Sequence, residues 1–503
     1  APAPAPAPAA VARTENESIL PEVKLVDGRH VVFSGTVRHL IGFLSDPGHL
    51  SNQEFAITLL ATHKWWVKSG DLLTRISETL MSPDVSKLPE DKQESTKMIV
   101  KLRLTNVLKK WIENDFFGFR EDDDLMNQLK EFIKKMQASQ GKDKELGSVI
   151  EKALTSPCQH PKAKDLTYDK PILPTKTDAA QLTFMDISPV ELARQITLLD
   201  FAQFSKIRPQ ELYRCSWTKA NKHAASPNVM ALTERFNKTT FWVATEILTT
   251  VNPKSRVEAL KNFIQIGEQF LALRNYHGVM CVYAALNMGS IQRLSSTWKE
   301  ISERHLRKMS EIERVMDSSG NWKIYRELTK DPTPPLVPFQ GVMLSDLTQL
   351  EEIPDRCEGS GHVNFDKMNL LGGVLSFLEK CQSADYPFEP LPLVQTWLDE
   401  QVVLDEGSLY KLSKFWEDPQ LASYLNKSSP IYNAYKTKGQ IPTDMKQRLV
   451  EELTILRESK IFKDAKRKEL LDKKKSGKLS KVDSKATLLS VPESGRTRSN
   501  TVA

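Results

Sequence analysis

The sequence predicts an all-α protein with a smaller N-terminal helical region and a larger C-terminal one. Along most of the chain, apolar residues recur at intervals of three and four, the spacing that gives a helix one buried face. Short apolar runs do not alternate with helical segments anywhere in the 503 residues, so the pattern of a parallel α/β sheet is missing. The chain length suits roughly two to four domains.

The overall composition is typical of a soluble globular protein, with 27% charged and 40% hydrophobic residues and a net charge of +6. The five cysteines are scattered and never form a Cys-x-x-Cys pair, which argues against a disulfide framework or a zinc site. Neither a signal-peptide pattern nor an apolar run of about 18 residues is present. We therefore expect a cytoplasmic protein that needs no metal and no cofactor.

The first predicted domain spans residues 28–140. Residues 1–27, which precede it, begin with an Ala/Pro run that cannot build a packed core, so we predict a disordered N-terminus. Within the domain, helical spacing of apolar residues is clearest at 37–44, 98–111 and 125–136. This region is therefore predicted to be helical throughout.

A linker and a second, larger domain follow. Residues 141–183 are polar and contain four prolines, which predicts an inter-domain linker with room for one helix. Residues 184–420 form the larger predicted domain. Here Ser188 and Pro189 match the N-cap and first position of a helix, and residues 255–274 carry an apolar surface wide enough for a buried helix.

The tail, residues 421–503, is predicted to be basic and largely disordered after an initial helix. Residues 457–481 contain eleven Lys or Arg and few apolar side chains. A solvated end and attraction to an anionic membrane surface are both compatible with this charge. Nucleic-acid binding is disfavoured because the tail lacks interleaved aromatic residues and the folded part is not strongly basic.

The strongest motif lies at residues 334–352, which read PPLVPFQGVMLSDLTQLEE. This segment resembles the one that opens the nucleotide-displacing helical hairpin of Ras-type guanine-nucleotide exchange factors. Further blocks resemble the same catalytic domain in the same order. They are ITLL at 196–199, FSKIRPQEL at 204–212, WTK at 217–219, SPN at 226–228 and LRNYHGVM at 273–280. Several blocks in register are far more specific than any one of them.

The first domain resembles the Ras-exchanger motif domain that precedes the catalytic domain in this family. Residues 34–36, SGT, are similar to its first characteristic stretch, and residues 102–116, LRLTNVLKKWIENDF, to its last. The resemblance thus extends over roughly residues 28–419. It implies a helical catalytic domain with a protruding hairpin and, as partner, a Ras-family small GTPase bound preferentially in its nucleotide-free state.

The resemblance also implies roles for residues of the hairpin. Its first helix would run from near Phe339, which would anchor it to the domain body, to near Glu352. Its second helix would run from about Asn364 to Lys380. Thr348 would occupy the magnesium position and Glu352 would repel the α-phosphate. The two share one face because they are four residues apart. Asp346 and Glu351 are expected to contact the GTPase.

Two features complete the implied site. Asn275, Tyr276 and His277 are expected near the contact with the second switch of the GTPase, whereas Arg293 is expected to form an internal ion pair. The hairpin departs from the family pattern after its paired glutamates: the family usually continues with Gly-Asn-Pro, but here Ile-Pro-Asp follows at 353–355. A reshaped turn is therefore predicted next to the proposed catalytic glutamate.

Other classes of protein fit less well. The chain has no Gly-x-Ser-x-Gly, no His-Glu-x-x-His and no phosphate-binding Gly-x-x-x-x-Gly-Lys-Ser/Thr loop. The predicted activity therefore involves no covalent step, and the chain would act on a GTPase rather than on GTP. The alternatives that remain are a non-catalytic GTPase-binding scaffold and an exchanger for Rap or Ral.

Overall fold

A computed structural model describes residues 21–26, 29–45, 53–86, 88–114, 116–155, 166, 170–178, 181–416, 441 and 445–458. Helices dominate both halves of the described chain, as predicted. Among the described helices, none combines the length and apolar character needed to cross a bilayer. Residues 1–20 of the predicted disordered segment 1–27, the junction 417–440 and the basic stretch 459–503 lie outside the described residues.

The N-terminal region contains two strands and seven helices in its described part. They are β1 (Glu22–Val26), β2 (Arg29–Gly35), α1 (Val37–Ser45), α2 (Gln53–Thr62), α3 (Ser69–Met81), α4 (Glu90–Asn114), α5 (Phe116–Glu121), α6 (Asp123–Ala138) and α7 (Lys142–Thr155). The predicted helical segments at 37–44, 98–111 and 125–136 all lie inside helices. Asp122 caps α6 by accepting a hydrogen bond from the Leu125 amide at 2.9 Å, which satisfies an otherwise unpaired donor.

Two expectations were wrong at the start of the chain: β1 lies within residues 1–27, which were predicted to be disordered, and β2 lies within the region that was predicted to be helical throughout. Strands β1 and β2 pair antiparallel, with Val26 opposite Arg29. The sequence carried the signal: polar and apolar residues alternate along 22–26, and Asp27-Gly28 is a dipeptide favoured in two-residue hairpin loops. The strands matter because β2 also pairs with a strand from the other half of the molecule.

The predicted linker begins with a helix that belongs to the N-terminal region. Helix α7 packs against α4 and α6, with Leu146 and Ile150 buried in the shared core. Gly147 allows the close approach, because a Cβ at this position would lie 2.9 Å from the Met136 side chain. Packing therefore extends the N-terminal unit beyond the predicted boundary at 140, to the end of α7.

The C-terminal region contains one short strand and eleven longer helices in its described part. They are α8 (Pro189–Phe204), α9 (Pro227–Thr249), α10 (Pro253–Ala272), α11 (Tyr276–Leu286), α12 (Glu303–Met316), α13 (Ser319–Thr329), α14 (Gln340–Glu351), β3 (Val363–Asn364), α15 (Phe365–Gln382), α16 (Pro392–Asp399), α17 (Glu406–Trp416) and α18 (Lys446–Glu458). Single helical turns at Pro209–Leu212, Lys222–Ala225, Gly289–Gln292 and Ser295–Lys299, and 3-10 turns at His63–Trp65, Phe184–Asp186 and Tyr213–Thr218, complete the described helices.

Helix α9 is central to this region and packs against α8, α10, α11 and α17. Its Trp242 meets the rings of Phe184, Phe263 and Trp397 at centroid distances of 6.1, 5.3 and 6.1 Å. The predicted N-cap is confirmed, since Ser188 precedes Pro189 at the first position of α8. The predicted buried segment 255–274 largely coincides with α10, whose Phe263 and Phe270 are fully buried.

The tail differs from its prediction because part of it packs on the C-terminal region. Helix α18 contacts α17, and its Leu449, Val450 and Leu453 are buried. At its first residue, Lys446 Nζ donates to Glu246 Oε2 at 2.6 Å, with both side chains almost fully buried. Because this ion pair is almost fully buried, the start of α18 is part of the folded unit.

Candidate functional site

Helices α14 and α15 form an antiparallel hairpin on the C-terminal region. The sequence predicted its helices from near Phe339 to Glu352 and from Asn364 to Lys380. In the structure Phe339 and Glu352 flank α14, and Asn364 caps α15, which continues to Gln382. Residues 353–364 connect them and include β3, which pairs antiparallel with β2.

The far end of α14 carries an exposed threonine and an exposed glutamate. Thr348 and Glu352 are both exposed and lie one helical turn apart. The Thr348 hydroxyl donates to the Leu344 carbonyl at 2.8 Å. Among the described residues the Glu352 carboxylate has no hydrogen-bond or ion-pair partner. A free negative charge on a protruding element can repel an anionic group of a partner.

The base of the hairpin is held by aromatic packing. The Phe339 ring lies 6.0 Å from Phe236 of α9 and 5.4 Å from Trp322 of α13, and its amide donates to the Tyr325 hydroxyl at 3.1 Å. Gly341 is required beside this ring, because a Cβ there would lie only 2.5 Å from the Phe339 side chain. The structure thus places Phe339 where an anchor to the domain body would be.

Two hairpin residues expected to contact the GTPase are engaged within the chain instead. Asp346 accepts two hydrogen bonds from the Arg326 guanidinium, at 2.6 and 2.9 Å. Glu351 accepts from the Trp65 indole N–H at 2.6 Å and from Arg214 at 3.1 Å. Both carboxylates are thus paired with other parts of this chain. Their contact with a GTPase stays a prediction.

The three residues expected near the second switch are buried. Asn275 is fully buried, accepts from the Gly278 amide at 2.9 Å and donates to Asp200 at 2.9 Å. Tyr276 is 6% exposed and His277 is 1% exposed. The His277 amide donates to the Val337 carbonyl beneath the hairpin, so in the described chain these residues support the segment that leads into α14. Their proximity to the second switch of a GTPase stays a prediction.

Burial also determines the charge of His277. Its two ring nitrogens have no hydrogen-bond partner in the described part of the chain, and its ring packs 5.4 Å from Phe236. Burial lowers the pKa of His277 to about 4, and the nearby Asp200 only partly opposes this effect. The imidazole is therefore neutral at pH 7.

Arg293 was expected to form an internal ion pair, and the structure gives it other contacts. Its guanidinium lies over the Tyr410 ring, 4.6 Å from the centroid, and its Nε donates to the Gly289 carbonyl at 3.0 Å. A cation over an aromatic face is stabilised by the ring quadrupole. Arg293 thus joins α17 to the helical turn Gly289–Gln292. This agrees with a structural role, but the contact is a cation–π interaction and not an ion pair.

Sequence reasoning missed three residues that surround the end of α14. Trp65 comes from the N-terminal region, Arg214 from the 3-10 turn Tyr213–Thr218, and Lys367 from α15. Lys367 is 1% exposed and donates to Asp355 at 2.7 Å. No sequence signal could have found them, because their partners are far away in the chain and the contacts exist only after folding.

Comparisons with known proteins identify both halves of the chain. The RasGEF domain model matches residues 191–369, and the RasGEF N-terminal motif model matches residues 31–132. The first match includes α14, the turn after it and the first five residues of α15, and the second includes α1 to α5 and most of α6.

Several relatives resemble most of this chain. Ras guanine nucleotide exchange factor R of Dictyostelium discoideum is 31% identical over 410 residues, 80% of this chain and 23% of the relative. Ras guanine nucleotide exchange factor A of the same organism is 31% identical over 359 residues, 69% of this chain and 57% of the relative. Ras-specific guanine nucleotide-releasing factor 2 of Mus musculus is 31% identical over 319 residues, 62% of this chain and 26% of the relative. The chain therefore spans between about a quarter and just over half of these relatives.

Proposed function

The chain belongs to the family of Ras guanine-nucleotide exchange factors, and we propose that it promotes release of GDP and loading of GTP on a Ras-family small GTPase. The observation that carries this proposal is the far end of α14, where Thr348 and Glu352 are exposed on a hairpin supported at both ends. Every other acidic residue of α14 is paired within the chain. The free carboxylate is thus the one available to a partner.

The physical argument is electrostatic and steric. A Ras-type GTPase holds its nucleotide through backbone amides, a lysine and a magnesium ion. Two unit negative charges about 4 Å apart repel by ~4 kcal/mol at an effective dielectric constant of about 20. Placed near a phosphate, Glu352 would therefore weaken nucleotide binding about a thousandfold, since ~1.4 kcal/mol corresponds to a factor of ten. Thr348 would fill the space that the magnesium ion occupies.

The proposed reaction forms and breaks no covalent bond. Exchange factor and nucleotide would each weaken the binding of the other to the GTPase, by the same factor, because binding free energies are linked. The partner form preferred by this chain would therefore be the nucleotide-free GTPase. Incoming GTP would in turn release the chain from its partner.

The test is release of a fluorescent GDP analogue from Ras, Rap and Ral, measured with the full chain and a Thr348→Ala/Glu352→Ala variant. We expect the full chain to accelerate release from Ras and the variant to lose most of that acceleration. Thr74→Ala/Glu78→Ala is a matched control, because both residues are exposed on α3 and Thr74 makes the same hydrogen bond to the carbonyl four residues earlier.

Each outcome separates the candidate functions. Acceleration of Rap or Ral alone would identify a different partner for the same mechanism. Binding to nucleotide-free Ras without accelerated release would favour a non-catalytic scaffold. Equal loss of acceleration in the control variant would show that the effect comes from general destabilisation and would contradict the role of the hairpin residues.

We also propose that the chain works in the cytoplasm and is recruited to the inner face of the plasma membrane by its basic tail. The eleven Lys and Arg of residues 457–481 support this, because each basic residue near an anionic surface contributes ~1 kcal/mol. Co-sedimentation of the full chain with phosphatidylserine vesicles should be lost at high salt. Replacing Lys466, Arg467 and Lys468 by Gln should weaken it, and unchanged binding would contradict the proposal.

A further inference from the structure

Arg214 lies where three segments of the molecule meet. Its Nη1 donates to Glu351 Oε2 at 3.1 Å, at the end of the first hairpin helix. Its Nη2 donates to the Trp65 carbonyl of the N-terminal region at 3.0 Å, and to Asp355 in the turn that follows the helix. One guanidinium therefore joins the N-terminal region, the end of α14 and the turn beyond it.

The backbone at this position is unusual. Arg214 has φ 52° and ψ 34°, and Cys215 follows with φ 53°, so two consecutive non-glycine residues adopt the left-handed conformation. This region is disfavoured for residues that carry a Cβ, whereas glycine adopts it freely. Local folding alone would therefore favour glycine at 214. At Arg214 the three contacts of the guanidinium offset the cost of this conformation.

A second cation holds the same turn from the opposite side. Lys367 is 1% exposed, and its Nζ donates to Asp355 Oδ1 and to the Ile353 carbonyl, both at 2.7 Å. The same nitrogen lies 3.8 Å from Glu351. Burial would raise the pKa of Asp355, but hydrogen bonds from Arg214 and Lys367 outweigh it and hold that pKa below its usual range. The turn is thus a network of two cations and two carboxylates.

This network encloses the backbone of Glu352. Glu351 and Asp355 flank it in sequence, and both carboxylates are held by Arg214. The Glu352 amide donates to the Gln349 carbonyl at 3.2 Å, so the residue still ends the helix. With its neighbours paired and its own side chain free, Glu352 can point outward from a fixed backbone. The turn that departs from the family pattern, residues 353–355, is therefore the part that the network stabilises.

We propose that Arg214 is a positioning residue for nucleotide exchange: it ties the end of α14 to the N-terminal region and so presents Glu352 to the GTPase. This inference rests on the proposed function. Arg214 need not touch the partner, since it acts through Glu351, Asp355 and the Trp65 carbonyl. A planar guanidinium suits this task, because its N–H donors point in fixed directions, whereas those of an ammonium group rotate freely.

The decisive variant is Arg214→Gly, because it removes the guanidinium and relieves the left-handed backbone at the same time. A merely structural ion pair would lower the melting temperature and the activity together. A positioning role predicts a melting temperature that is nearly unchanged and a maximal exchange rate that falls by about tenfold to a hundredfold, as expected when a reacting group is misplaced by about 1 Å. The GTPase concentration giving half-maximal rate should change much less. Arg214→Lys should restore part of the rate.

Lys101→Met is the matched control. Lys101 pairs with Asp143 at 2.8 Å, with side-chain exposures of 15% and 21%, but within the N-terminal region and away from the hairpin. Its removal should leave the exchange rate unchanged. If Lys101→Met slows exchange as much as Arg214→Gly does, or if Arg214→Gly keeps the full rate, the positioning role is overturned.

Hydrogen–deuterium exchange of the free full chain decides the inference independently of activity. In Arg214→Gly, amides of residues 349–364 should exchange faster, while those of the hairpin base should not change. Unchanged exchange at 349–364 would overturn the inference even if the chain is an active exchanger. Faster exchange there, in a wild-type chain that releases no nucleotide, would support the positioning contact and reject the proposed function instead.

Discussion

The two ends of the hairpin are held by different chemistry. At the base, Phe339 packs between aromatic rings of α9 and α13, and Gly341 lets that ring approach the helix. At the far end, Glu351 and Asp355 are held by Arg214, Lys367 and the Trp65 indole. Apolar packing has little directional preference, whereas hydrogen-bonded ion pairs fix the orientation of the groups that they join. The far end therefore determines where the free carboxylate points.

The largest effect should come from removing the buried cation at the far end. In Lys367→Met, Asp355 and Glu351 lose a partner that is 1% exposed, and breaking one side of a buried pair leaves an uncompensated charge. Because Arg214 still pairs with Asp355, we expect a loss of about 2–3 kcal/mol in the free energy of unfolding, measured by urea denaturation.

The control for this variant lies on the same helix. Lys380 pairs with Asp331, and both side chains are substantially exposed. Lys380→Met should therefore change stability and exchange rate very little. A similar loss in the two variants would mean that the far-end network contributes no more than a surface pair, and the contrast between the two ends would fail.

A smaller loss is expected from crowding the base. Alanine normally stabilises a helix relative to glycine, but in Gly341→Ala the new Cβ would lie 2.5 Å from the Phe339 ring. Displacing that ring should lower stability by about 1–3 kcal/mol and slow exchange. In Gly373→Ala, on α15, the Cβ would meet nothing within 4 Å, so this control should gain about 0.5–1 kcal/mol. A gain of stability in both variants would show that the Phe339 ring moves aside at little energetic cost.

The stability that each end of the hairpin contributes should also depend on pH, over a different range for each end. Burial lowers the pKa of His277 from 6.5 to about 4, so below pH 6.5 the unfolded chain binds a proton that the folded chain does not. Stability contributed at the base is therefore complete above pH 6.5 and is lost as pH falls towards 4. Asp355 has a lowered pKa, so its contribution is complete above about 3.8 and is lost only below that value.

This difference can be measured by following the midpoint of urea unfolding from pH 7.5 to 4.5. Wild type should lose stability steadily, in part because the pKa of buried His63 is also lowered to about 4 by burial. In His277→Leu the slope should be shallower, with about 1–3 kcal/mol less loss over the range. An unchanged slope would mean that His277 is protonated in the folded chain, and would contradict the neutral assignment.

The smallest effect should come from a single hydrogen bond at the far end. Trp65→Phe keeps an aromatic ring against Tyr213, 4.9 Å away, but removes the N–H that Glu351 accepts at 2.6 Å. We expect about 1 kcal/mol less stability and a modestly slower exchange rate. Trp66→Phe is the control, because the buried Trp66 N–H has no hydrogen-bond partner in the described chain. An equal loss in both variants would assign the effect to ring volume alone.

Part of this arrangement could be read from the sequence. The helical class, the N-cap at Ser188 and the bounds of the hairpin followed from local patterns and from blocks that resemble a known family. The β1–β2 hairpin also had a local signal, the Asp-Gly dipeptide between alternating segments, which was outweighed by the helices that follow. Such features depend on residues close together in the chain, so their patterns can be recognised in the sequence.

Local pattern gave no indication of which charged side chains would be free. Glu351 and Glu352 are adjacent, identical residues, yet one pairs with groups 286 and 137 residues away and the other remains exposed. Local pattern also did not indicate that Asn275 and His277 are buried, because their burial follows from the packing of α11 beneath the hairpin. The sequence by itself determined the class of fold, the hairpin and the types of residue at its far end. Tertiary structure alone decided which carboxylate is paired and which is free, because electrostatic partners are set by distance in space and not by separation along the chain.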